Sequence, residues 1–161
     1  MKALLAITLA FSLFACGEED KTKTDTPTAP EPVTNTAEVT KIEIESNDQM
    51  QYNLTELKAK AGAKVSLTLK HTGTGAITSM GHNIVILAAG EDVDAFVQKA
   101  NAAGAEKNYL HEGANVVAAS KVIGGGESAT VEFTAPAAGS YDFICTFPGH
   151  IALMKGKFIV E

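Results

Sequence analysis

Val65-Ser66-Leu67-Thr68-Leu69-Lys70 alternates apolar and polar side chains without a break. A repeat of two puts every second side chain on the same face of an extended chain, so this stretch predicts a strand with one buried face. Ile42 and Ile44, set among Lys41, Glu43 and Glu45, repeat the pattern upstream. Downstream, His82–Ala88, Val116–Val122, Ser128–Thr134, Ser140–Cys145 and Lys157–Val160 read as further strands, punctuated by Gly124-Gly125-Gly126 and Ala135-Pro136. Many short strands separated by such turns predict an all-β sandwich. One segment changes period: Glu91–Ala103 spaces Val93, Phe96, Val97 and Ala100 as one face of an amphipathic helix, placed outside the sandwich.

The two ends of the chain read differently. Of 161 residues, 45% are hydrophobic, enough for one domain with a core of its own and without signs of a second. Met1–Ala15 carries Lys2 and then an almost unbroken apolar run, the pattern of an export signal too short to span a bilayer. Its ending, Leu13-Phe14-Ala15-Cys16, resembles a bacterial lipoprotein signal, which implies that Cys16 becomes the lipidated first residue and a membrane anchor. Gly17 in place of an aspartate after that cysteine points, by the same resemblance, to the outer membrane. Residues 16–40 then form a Pro-, Thr- and Glu-rich stretch with Pro27, Pro30 and Pro32, too poor in large apolar side chains to fold and extended by its prolines into a tether. The formal charge of the whole chain is −6, and Lys41–Glu161 is left with −3 and no basic run, which argues against nucleic acid as a partner.

The chemistry concentrates in Cys145-Thr-Phe-Pro-Gly-His-Ile-Ala-Leu-Met154, where a thiolate, an imidazole and a thioether fall within ten residues. Pro148-Gly149 at its turn folds the three side chains toward one another. Two histidines and a cysteine make a trigonal set for copper, and a weak, long bond from a methionine completes a blue-copper electron-transfer site. The second histidine must come from His71, His82 or His111. His82 is the best placed, in Met80-Gly81-His82-Asn83 at the mouth of a predicted strand, where a sheet can hold it. A Cys–His nucleophilic pair is the competing reading, but no third group to orient the histidine is visible.

These residues carry a resemblance. Cys145–Gly156, with four residues between Cys and His and three between His and Met, resembles the corresponding loop of the azurins, blue-copper proteins of the cupredoxin family. So do Met80–Asn83, Asn47-Asp48-Gln49-Met50-Gln51, Lys121–Glu127 and Asn108-Tyr109-Leu110, so that the likeness spans roughly Lys41–Glu161. It implies a Greek-key, cupredoxin-like β-sandwich with one short helical insertion, and one type 1 copper ion. Its ligands are then Cys145, His82 and His150, weakly assisted by Met154 and by the backbone oxygen of Gly81. Asn83 is the expected brace, hydrogen-bonded across to the Cys145 loop. Azurins also share a disulfide near the start of the domain; with Cys16 and Cys145 otherwise engaged, this chain has no cysteine to spare for one.

The resemblance implies an electron carrier rather than an enzyme. It would work on the periplasmic side of a bacterial membrane, between a cytochrome c-type donor and a reductase or oxidase. A copper-binding lipoprotein for storage, delivery or defence is the alternative, although four Met and four His, widely scattered, make no ligand-rich tract. His150 is expected to present its edge to solvent, and Met80, Phe147, Pro148, Ile151 and Ala152 to form an apolar docking patch around it. His71 matches a histidine that lies close to the metal in azurins without binding it. His111, in a polar stretch, is expected to be solvated, and Met50 to pack near the site.

Overall fold

In the computed structural model, which describes residues 39–161, the alternating stretch is β4 (Lys64–His71). Val65, Leu67, Leu69 and His71 are buried and the residues between them are not. β4 runs parallel to β1 (Thr40–Asn47), with Thr40 opposite Val65 and Ser46 opposite His71, and antiparallel to β7 (Ser128–Thr134). The two-residue β2 (Gln51–Tyr52) folds back on β1 and completes a sheet of order β2-β1-β4-β7. The predicted signal segment, Cys16 and the 16–40 tether up to residue 38 lie outside the described residues.

The second sheet contains β3 (Glu56–Ala59), β9 (Lys155–Val160), β8 (Gly139–Ile144), β5 (Val85–Leu87) and β6 (Val116–Ala119), in that order across it. β3 and β9 pair in parallel and the other neighbours antiparallel. Strands adjacent in sequence thus repeatedly change sheet, and the fold is the expected cupredoxin-like β-sandwich with a short helix. Ile44, Leu67, Leu69, Ile86, Phe143 and Phe158, each no more than 1% exposed, fill the space between the sheets. Burying a side chain of this size contributes about 1.5–3 kcal/mol.

The helix α2 (Val93–Ala103) starts where Asp92 accepts a hydrogen bond from the Ala95 amide and stops at Gly104, whose φ of 76° suits glycine. Phe96 and Ala100 are buried from it against Val85, Leu87 and Ile144, with Val93 and Val97 alongside. It therefore covers the face of the second sheet that turns away from the main core. His111 is half-buried against the Phe96 ring, centroids 5.0 Å apart, and so is not the solvated residue its polar neighbours imply.

Two predicted strands are shorter than expected. Of His82–Ala88 only Val85–Leu87 is strand, and Val116–Val122 ends at Ala119. The Ile84 amide bonds the Ser120 hydroxyl and the Asn83 side chain is committed elsewhere, so side chains interrupt the ladder there. β2, β3 and the one-turn helix α1 (Ile77–Met80) are too brief to show a period and were not foreseen.

Candidate metal centre

His82 is pinned through its backbone before its ring does anything. Its amide bonds the Ile123 carbonyl at 2.9 Å and the Ile123 amide returns to the His82 carbonyl at 2.8 Å, an isolated bridge between two loops. Gly81 before it is buried, and its φ of −72° is open to any residue. The need for glycine is spatial, because a Cβ would stand 2.5 Å from the Ile77 carbonyl oxygen and 2.7 Å from Val122. The His82 ring then donates from Nε2 to the Asn47 carbonyl at 2.9 Å, which leaves Nδ1 as a bare lone pair.

The other donors come from the loop between β8 and β9. The Cys145 amide bonds the Met154 carbonyl at 3.0 Å, and the Met154 amide bonds the His150 carbonyl at 2.9 Å, so the loop closes over its own side chains. The Nδ1 atoms of His82 and His150 lie 3.1 Å apart, and Cys145 Sγ lies 3.7 Å from His150 Nδ1. All three atoms fall within 4.8 Å of one another, and all three residues are buried. A metal bonded to nitrogen at about 2.0 Å and to sulfur at about 2.3 Å spans donor separations of roughly 3–4 Å, so the spacing fits one ion. Met154 is fully buried in the same core cluster as Cys145.

Asn83 is buried and ties the two loops together: Nδ2 donates to Thr146 Oγ1 at 2.8 Å and Oδ1 accepts from the Thr146 amide at 2.9 Å. A third contact, Nδ2 to the Asn108 carbonyl at 3.2 Å, joins the segment after α2 to the pair. The backbone groups of Asn83 and Phe147 offset part of the rise that burial imposes on the Cys145 thiol. Asn47, Thr146 and Asn108 were not assigned roles from sequence, although all three stand in the stretches that carry the azurin resemblance. Their contributions run through backbone carbonyls and a hydroxyl, which leave no mark in a residue pattern.

His71 packs edge-on against His82 with ring centroids 4.4 Å apart, and its Nε2 lies 3.1 Å from Asp48 Oδ1. The Asp48 carboxylate also accepts from the Thr74 and Gly75 amides at 2.8 and 3.0 Å, and these N–H groups hold its pKa below the usual value. Met50 packs against the main core with φ at 56°. Around the loop, Pro148 and Ala152 are exposed and Met80 and Ile151 half-buried. Phe147 is only 7% exposed, its ring between Tyr109 at 5.1 Å and His150 at 4.6 Å, so it supports the surface from beneath. His150 itself keeps 3% of its surface. Ile77 on α1 and Leu153 in the loop, 45% and 57% exposed, are large apolar residues that the sequence reading did not single out.

Burial sets the protonation of the donors. It lowers the His82 pKa to about 4 and shifts that of His150 down as well, with the nearby His71 adding to the latter. It raises the Cys145 thiol to about 11. Neutral imidazoles are ready ligands, whereas the thiol must give up a proton to an incoming cation.

Residues 38–161 match the family described as copper binding proteins of the plastocyanin/azurin family. Outer membrane protein H.8 of Neisseria meningitidis serogroup B is 49% identical over 118 residues, covering 71% of this chain and 63% of that protein. The chain thus spans under two thirds of the length of the H.8 relatives. Azurin of Pseudomonas fluorescens biotype A is 40% identical over 126 residues, covering 75% of this chain and 98% of the azurin. Among solved structures, auracyanin A, a "blue" copper protein from Chloroflexus aurantiacus, aligns with a TM-score of 0.71 at 35% identity, covering 77% of this chain and all of that one. Sequence match, fold and a buried soft donor set suited to copper converge, and the chain belongs to the plastocyanin/azurin family of copper-binding proteins.

Proposed function

We propose that this protein carries single electrons through one copper ion held by Cys145, His82 and His150, with Met154 and the Gly81 carbonyl as weak additional donors. The observation that carries the reading is the convergence of Cys145 Sγ and two imidazole nitrogens within 4.8 Å in a buried setting. Bound copper supplies the Cu(I)/Cu(II) couple. The chain's part is to keep its donors still. His82 is fixed at its backbone by Ile123 and at its ring by Asn47, and Asn83 locks the Cys145 loop to the His82 segment. Donors that cannot move cost little reorganisation between the two charge states. Burial of all three keeps water out, and the 3% of His150 that remains exposed is the proposed exit for the electron.

Met80, Pro148, Ile151 and Ala152, underlain by Phe147, are the proposed docking surface for a cytochrome c-type donor and a reductase or oxidase. A cleft lined by Val39, Lys58, Lys60 and Glu161 contains none of these donors. The likeness to outer membrane protein H.8 and the Leu13-Phe14-Ala15-Cys16 ending support an envelope location, with lipid on Cys16 and the domain on the periplasmic side of the outer membrane. The visible spectrum of the oxidised, copper-loaded protein tests the centre: an intense thiolate-to-copper band is expected, lost in Cys145→Ser. A Cys145→Ser protein that keeps the band would refute the ligand set. Mass spectrometry of the mature protein tests the anchor, and an unmodified amino terminus would exclude it.

A further inference from the structure

Asn108 and Tyr109 stand side by side at positive φ, 53° and 50°, in the segment after α2. Asparagine tolerates this left-handed region, but a bulky aromatic residue enters it only where its surroundings impose it. Here the surroundings do. The Tyr109 amide bonds the Gly104 carbonyl at 3.0 Å, the Asn108 side-chain oxygen accepts from the Val122 amide at 3.1 Å, and the Asn108 carbonyl accepts from Asn83 at 3.2 Å. The imposed backbone sets the Tyr109 ring edge-on against Phe147, centroids 5.1 Å apart at 68°, and Phe147 in turn lies 4.6 Å from the His150 ring at 36°. Both separations are those of rings in direct contact. Three rings therefore run from a proposed copper ligand to a half-buried tyrosine that borders, with Ile77 and Ala105, a crevice in the surface. Phe147 is also two residues from Cys145 along the chain, so the row meets the site at two of its donors. Packing alone asks only for an apolar side chain at position 109.

We propose that Tyr109 is a second point at which electrons enter and leave the copper site, reached from His150 and Cys145 through the Phe147 ring. This rests on the ligand set and the carrier role proposed above. One electron passes to a one-electron acceptor at the surface as Cu(I) becomes Cu(II). The Phe147 and Tyr109 rings are not themselves oxidised, and the phenol keeps its proton. Their part is overlap, because π systems in contact couple a donor to an acceptor better than saturated side chains spanning the same gap. His150 keeps 3% of its surface, whereas Tyr109 is half-buried, so a partner seated over Tyr109 need not cover the His150 edge. Tyr109 acts through Phe147; it does not ligate.

The test is an intramolecular transfer in the full, copper-loaded chain. In a Cys16→Ser background, Ala105→Cys puts a thiol on the crevice wall for attachment of a photoactivated one-electron oxidant, while Cys145 is shielded by its burial. After a flash, oxidation of Cu(I) is followed as growth of the thiolate-to-copper band. Cyclohexylalanine at position 109 keeps the bulk and removes the π system; it should slow the transfer by about an order of magnitude and leave midpoint potential and band position unchanged. Tyr109→Leu should do the same if that variant folds poorly, and Tyr109→Phe should keep the wild-type rate. Equal rates in the wild type and the two saturated variants overturn this inference and leave the ligand set standing. A slower rate that comes with a shifted potential or band would make Tyr109 a brace for the ligands, and overturns it too. A wild type without a copper–thiolate band overturns the ligand set itself.

Discussion

His82 and Cys145 meet an incoming cation in opposite states of protonation. With His82 lowered to about 4 and Cys145 raised to about 11, the metal-free site at pH 7.5 holds a neutral imidazole and a protonated thiol. Binding of Zn(II), which does not oxidise the thiol, should release close to one proton per ion. Calorimetry in buffers of different ionisation enthalpy would count it, and Cys145→Ser should release almost none. The same shift gives the metal-free protein a pH dependence of stability. The unfolded chain protonates His82 near its ordinary pKa of about 6.5 and the folded chain only near 4, so the unfolded state takes up the proton first. Stability should be flat with respect to this group above pH 6.5 and fall by about 3 kcal/mol as the pH drops to 4. Asp48, whose carboxyl is held low by the Thr74 and Gly75 amides, adds a loss of the same sign at lower pH. Urea unfolding at pH 7 and pH 4.5 would show it, and equal midpoints would contradict the burial of a neutral His82. Asn83→Ala removes three hydrogen bonds and leaves the buried Thr146 amide without its acceptor, at an expected cost of about 2–3 kcal/mol in the same assay.

At the level of elements, Gly156 on β9 lies opposite Phe143 on β8. A Cβ there would fall 2.3 Å from the Phe143 ring and 2.4 Å from the Thr55 carbonyl oxygen. Gly156→Ala should therefore force β9 and the Thr55 loop apart and cost about 1–3 kcal/mol, measured as a lower thermal midpoint. A midpoint equal to wild type would mean that β9 shifts without resistance. How readable each element is from sequence depends on how many of its faces are buried. β4 has one buried face, and its alternation is plain in Val65, Leu67 and Leu69. β5 is covered on one face by the core and on the other by α2, so Ile84–Leu87 is uniformly buried and carries no period from which to place its ends. The Cys145–Met154 cluster was legible because its donors are neighbours in the chain. Asn47 and Tyr52 were not, since they reach the His82 segment across 35 and 31 residues and one of them acts through its backbone.

For the molecule as a whole, the described residues contain one cysteine, Cys145, and it is free, so no covalent cross-link limits the unfolded domain. A metal that binds the folded form stabilises it by about 4 kcal/mol when present at a thousand times its dissociation constant. Thermal unfolding with and without Zn(II) should show the bound form melting higher, and coincident transitions would argue against a preformed site. That gain has a ceiling set by the loop that closes over Cys145, His150 and Met154. The donors proposed in it, Cys145, His150 and Met154, stay within ten residues when both sheets have come apart, so the denatured ensemble should itself be a chelator, with its donors at high effective concentration. Of the proposed donors, His82 and the weak Gly81 carbonyl are contributed by folding alone. In strong denaturant, wild type and His82→Ala should bind Cu(I) with nearly equal affinity while their native affinities differ widely. The stabilisation by metal then measures what the fold adds to a grip the bare chain already has.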